Sequence, residues 1–146
     1  MITIEVRGLP APQGSKRHVG HGVMVESSKA VGPWRESVRA ETQRVFEIPG
    51  EHQLGWKDPV EVAITFRLPR PKSHYRTGRN AHLVKDGAPR YPDGKPDEDK
   101  LKRAVNDGLT AGGAFWDDAQ IVHSDVWKVY AGPGQKPGAD IVVTEL

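Results

Sequence analysis

Cysteine is absent from the 146 residues, so the chain can form no disulfide and can offer no thiolate to a metal. Any bound metal would need oxygen or imidazole ligands. Long apolar runs are missing as well. None approaches the roughly 20 residues required to span a bilayer, and the opening MITIEVRGLP lacks the layout of a signal peptide. A cytoplasmic location without membrane association is the expectation. Strong net charge is also lacking, at +2. With 36% hydrophobic and 27% charged residues the chain belongs with globular rather than disordered sequences, and its length predicts a single domain over residues 1–146.

What the net charge hides, the distribution of charge reveals. From Arg70 to Lys95 the stretch RPKSHYRTGRNAHLVKDGAPRYPDGK holds seven Lys and Arg against two Asp, whereas acids gather between Asp97 and Asp125. A basic segment next to an acidic focus fits a polyanionic substrate and a metal ion, or else an ordinary solvated loop.

Four segments carry strand signals. MITIEV and VEVAITFRL alternate apolar and polar residues with a period of two, and QIVHSDVWKVYA and ADIVVTEL are rich in β-branched and aromatic residues. Two segments carry helix signals. PWRESVRAETQRVF starts at Pro33, a residue favoured in a first turn, and puts Trp34, Val38 and Val45 on one side. From about Asp99 to Leu109, residues Leu101, Ala104, Val105, Gly108 and Leu109 form an apolar stripe at helical spacing. The order β-α-β-α-β-β predicts an α/β fold, an α+β sandwich in which a mixed sheet packs against two helices. Two basic loops remain, at about 10–22 and 69–96. The second is long enough to suggest a functional role.

In KPDEDKLKRAVND, three consecutive acids stand at the mouth of the second helix. Pro96 disfavours helical backbone at Lys95, and Asp99 is a good candidate for the helix cap. Capping leaves Asp97 and Glu98 unexplained. An extended entry would aim Asp97 and Asp99 to the same side, where two carboxylates repel unless a cation lies between them. A second pair, Asp117 and Asp118, opens the third strand. Convergence of these acids would suit a hard ion, Mg²⁺ or Mn²⁺. Asp99, Arg103 and Asp107 lie four apart, which allows either a salt-bridge ladder or an arginine placed near a metal-bound phosphate. Phe115 and Trp116 are expected to pack and fix the turn, and His18, His21 and His123 suggest no particular chemistry.

The segment KPDEDKLKRAVNDGLTAGGAFWDDAQIV resembles the core of the RusA-type Holliday-junction resolvases, whose pattern is close to D-x-D-N-L-x-K-x-x-x-D-A-L followed by D-D-x-Q. Asp97, Asp99, Leu101, Asp107, Leu109, Asp117, Asp118 and Gln120 fall in step with it, and GLPAPQGSKR is similar to the family's basic N-terminal loop. The resemblance implies a Mg²⁺-dependent endodeoxyribonuclease, with Mn²⁺ able to stand in, acting as a homodimer on four-way junctions in DNA recombination and repair. It implies catalytic and metal-binding roles for Asp97, Asp99 and Asp118, with Asp117 as a further metal ligand. Arg103 occupies the family's catalytic lysine position and Lys100 its asparagine. Arginine keeps the charge but does not readily give up a proton. Lys16, Arg17, Arg70, Lys72, Arg76, Arg79 and Lys100 are the candidates for DNA contacts. The alternatives are a general branched-DNA or flap nuclease and a catalytically weak DNA-binding module on the same fold.

Overall fold

A computed structural model describes residues 1–14, 16–18, 20, 24–26, 29–47 and 55–146, with backbone alone at 16–18 and 24–26. In chain order the elements are β1 (Ile2–Arg7), β2 (Lys16–His18), β3 (Met24–Glu26), α1 (Val31–Phe46), β4 (Val60–Leu68), α2 (Glu98–Ala111), β5 (Ile121–Tyr130) and β6 (Gly138–Glu145). Four strands form one sheet in the order β1-β6-β4-β5. β6 runs antiparallel to both β1 and β4, and β4 runs parallel to β5, so the sheet is mixed. The β4–β5 crossover carries α2, as a parallel pair requires. The fold is the predicted α+β arrangement of a mixed sheet and two helices.

One element departs from expectation. The N-terminal basic loop expected at about 10–22 carries β2, which pairs antiparallel with β3 just beyond it, Arg17 opposite Val25. Strands of three residues are too short to display an alternating pattern, so nothing in the sequence marks them. Within the second basic stretch the chain forms two 3₁₀ turns, Lys72–His74 and Gly78–Asn80, and a bridge between Tyr75 and Val84.

The core follows from the patterning. Val60, Val62, Ile64 and Phe66 of β4 are buried in one cluster with the stripe Leu101, Ala104, Val105 and Leu109 of α2 and the Val31, Trp34, Val38 and Phe46 side of α1, and Leu68 is buried as well. Two glycines, one in α2 and one just after it, allow close approach to α1. A Cβ on Gly108 would lie 2.7 Å from Val38 Cβ, and one on Gly112 would lie 2.6 Å from Thr42 Cβ. That contact grips the second half of α2 from one side. Its opposite flank, with Arg103 and Asp107, is left toward the N-terminal loop and the surface.

The start of α2 lies two positions earlier than Asp99 as cap would require. Asp97 is the capping residue, with extended backbone (φ −68°, ψ 142°), and its side chain makes no capping hydrogen bond. Pro96 already halts the preceding chain, so the helix begins directly after Asp97. Asp99 then sits inside the first turn, where its charge complements the helix dipole. Among the described residues no helix is long and apolar enough to cross a membrane.

A candidate acidic site along helix α2

The first turn of α2 carries acids that have cationic partners on the same helix. Asp97 Oδ2 lies 3.7 Å from Lys100 Nζ, and Asp99 Oδ2 lies 3.9 Å from Arg103 Nη2. These are exposed pairs, worth about 1 kcal/mol at most. The ladder expected through Asp107 stops at Arg103. Asp107 instead accepts a hydrogen bond from Gln13 Nε2, whose Oε1 accepts from Arg35 Nη1 of α1 at 2.6 Å. The Gln13 backbone N–H also donates to Lys100 O at 3.0 Å, laying the N-terminal loop along the helix. At Gly14 (φ +112°) a Cβ would come 2.5 Å from the Arg103 guanidinium, so glycine is what allows the loop to pass. Sequence reasoning missed Gln13, because a lone glutamine in a Gly/Pro-rich loop carries no pattern.

The second acidic group forms at the other end of α2. Asp117 starts a 3₁₀ turn (Asp118–Gln120) and accepts from the Ala119 amide at 2.8 Å. Gln120 Oε1 accepts from the Trp116 and Asp117 amides at 2.8 and 2.9 Å, while its Nε2 donates to Trp56 O at 3.0 Å and Asp58 O at 2.9 Å. One side chain thereby anchors the turn to the segment preceding β4. Asp107, Thr110, Trp116, Asp117 and Asp118 line a concavity of about 360 Å³. The Asp118 carboxyl is held above its ordinary range. Loss of hydration contributes most; the hydrogen bond to Asp117, the charge of Asp117 and the charge of Asp107 follow, and the Ala119 amide opposes them. Among the described residues no ion pair reaches Asp107, Asp117 or Asp118.

The two groups stand apart. Asp99 and Asp107 are separated by eight residues, roughly 12 Å along the helix axis at 1.5 Å per residue. Among the described residues no three His, Asp or Glu side chains are arranged so that they could hold a metal ion. The structure brings Asp117 and Asp118 together with Asp107, a residue in step with the family pattern that the helical spacing alone offered to a salt-bridge ladder. Asp97 and Asp99 remain with Lys100 and Arg103.

The cationic candidates differ in what already occupies them. The Arg70 guanidinium packs over the Tyr130 ring at 4.3 Å and donates to Pro89 O at 2.7 Å. Arg76 pairs with Asp86 at 3.3 Å. Lys72 and Arg79 are exposed on the two 3₁₀ turns. For Lys16 and Arg17 only the backbone, in β2, is described; their side chains lie outside the described residues, as does His21. The long basic stretch folds its prolines back onto the N-terminal loop. Pro10, Pro69, Pro71, Pro92 and Tyr130 line a cavity of about 720 Å³ that reaches Asp97 and Lys100. Lys128 of β5 holds the approach to α2 in place by donating to Gly94 O and Pro96 O at 2.8 and 3.0 Å.

The described residues thus place carboxylates on one helix and the turn after it, with cationic side chains on the neighbouring loops of an α+β frame. Residues 7–144 match the family described as endodeoxyribonuclease RusA, and the chain belongs to that family. It is thus an endodeoxyribonuclease, a hydrolase acting on DNA, from a family that is generally dependent on divalent metal and implies a branched-DNA substrate. No curated protein matches the chain.

Proposed function

We propose that the protein is a Mg²⁺-dependent, structure-specific endonuclease that resolves Holliday junctions by symmetric nicking as a homodimer, in recombination and repair. One observation carries the reading. Asp107, Asp117 and Asp118 line one concavity with no ion pair reaching them among the described residues, and lost hydration, then the neighbouring Asp117 and Asp107, raise the Asp118 carboxyl above its ordinary range. The donor set fits a hard divalent ion, being carboxylate oxygen with no thiolate available. Asp118 and Asp117, with Asp107 beside them, would hold the metal from the C-terminal end of α2; Asp97 and Asp99, which the family pattern also assigns to it, would have to close the distance along the helix to share the ion. When bound, such an ion polarises a phosphoryl oxygen and lowers the pKa of an attacking water.

The chain's own residues do the rest. Arg103 presents a permanent positive charge next to Asp99 and can neutralise charge developing on a phosphate, but it cannot serve as a proton donor. Lys100, Lys72, Arg76 and Arg79, with Lys16, Arg17 and Arg70, supply phosphate contacts whose summed affinity falls steeply with salt. Two-fold symmetry in a homodimer matches the near two-fold symmetry of a four-way junction.

Labelled four-way junctions incubated with Mg²⁺ test this directly. Paired symmetric nicks are the expected outcome, and Asp118→Asn should bind the junction yet leave it uncut. Equal cutting of linear and branched DNA would instead favour a general branched-DNA or flap nuclease. Arginine at position 103, already paired with Asp99, keeps one further alternative in view: a DNA-binding module of weak catalysis. Tight binding without any cutting would favour it.

A further inference from the structure

Phe115 and Trp116 are adjacent, yet they behave in opposite ways. Phe115 is buried, at 1% exposure, while Trp116 is 59% exposed. The exposed ring is not loosely placed. Its own amide donates to Gln120 Oε1, and the buried Phe115 before it bridges Trp56 in a parallel pairing, with the Trp56 amide donating to Ala114 O at 3.1 Å. The two backbones approach so closely that a Cβ on Gly55 would sit 2.3 Å from Gly113 O. This pairing delivers Lys57 alongside Trp116, and Lys57 Nζ lies 4.6 Å from the centre of the ring.

We propose that Trp116 and Lys57 form a platform that stacks one unpaired nucleobase of branched DNA beside the Asp117–Asp118 turn, an inference that rests on the nuclease reading above. An indole offers a large stacking surface and an ammonium offers a partner for a phosphate, the two features of a nucleotide. The same concavity contains Asp107, Asp117 and Asp118, so a base held on the ring brings its backbone to the carboxylates. Bases inside a continuous duplex are already stacked and cannot reach the ring without cost. Bases at a branch point can, which gives the acidic turn a preference for branched over linear DNA. Trp127, also exposed at 54%, has no such setting: it pairs with Thr65 on the sheet face away from the core and packs against Tyr91 at 6.3 Å.

The test uses the full chain and a four-way junction carrying 5-iododeoxyuridine at the branch, with EDTA present so that nothing is cut. Irradiation is expected to cross-link the parent at Trp116. Trp116→Ala should keep the parental thermal midpoint and weaken junction binding by about 5- to 100-fold, the range for loss of one stacked base, without changing the slope of log Kd against log salt. Trp116→Phe should retain most of the affinity, and Lys57→Ala should lower that slope by about one. Parental affinity in Trp116→Ala, or a cross-link at another residue, overturns the platform while leaving the nuclease reading intact. So does a fall in molar mass by light scattering, because the ring would then serve contact between protein chains. A parent protein that fails to bind the junction overturns both.

Discussion

The two ends of α2 carry the same kind of residue in opposite electrostatic circumstances. At its first turn, Asp97 and Asp99 face Lys100 and Arg103 one helical turn away and sit where the helix dipole favours negative charge. At its far end, among the described residues, Asp107 meets the neutral side-chain amide of Gln13, and Asp117 and Asp118 meet each other and the Ala119 amide, with no cation paired to any of the three. An acidic cluster is thus defined less by its acids than by what neutralises them. The first group is balanced within the helix; the second has no cationic partner among the described residues.

The strongest way to break this contrast is to neutralise one acid at each end. Asp118→Asn should reduce junction nicking by on the order of 10³-fold, with binding in EDTA unchanged, as read on a labelled four-way junction. Asp99→Asn with an equal loss would show that both ends serve one centre; a much smaller loss would make the far end dominant. Next in size is the response to metal. A divalent ion that binds only the folded chain stabilises it by about 2.7 kcal/mol at a hundredfold excess over Kd. Mg²⁺ should therefore raise the thermal midpoint of the parent and leave Asp118→Asn unmoved. A parallel rise in both would place the ion elsewhere.

Smaller effects sharpen the same point. Removing Gln13 with Gln13→Ala deprives both Asp107 and Arg35 of a partner and should cost about 1 kcal/mol in denaturant unfolding. The pH dependence of Asp118 has a definite sign. Its folded pKa is raised, so ionisation costs the folded state, and the cost is present above the raised value and absent below the ordinary carboxylate range. Without divalent ions, Asp118→Asn should melt higher than the parent at neutral pH, and the gap should close as pH falls through the carboxylate range. A gap that widened toward acid would mean that Asp118 gains a cationic partner in solution.

Most of the frame was legible because burial writes itself as period. The alternation in β4 and the stripe from Leu101 to Leu109 predicted which residues would be buried, and β4 has the predicted bounds. The hairpin β2–β3 was illegible, its strands being too short to alternate. The acids were legible as residues but not as a geometry. Asp97 as the capping residue, Asp107 joining Asp117 and Asp118, and the role of Gln13 depend on how a patternless loop lies along α2. The split between Phe115 and Trp116 was equally hidden, since two adjacent aromatics look alike until the turn sends one inward.

The Gln120 side chain has a chemical corollary. It receives two amide protons through its oxygen and gives two through its nitrogen, each to a different carbonyl. Glutamate at that position has the same shape but no hydrogen to give when ionised, and would turn a negative oxygen toward the carbonyls of Trp56 and Asp58. The identity of residue 120 is dictated by its capacity to speak both languages of hydrogen bonding at once, not by its size or its distance from the acids.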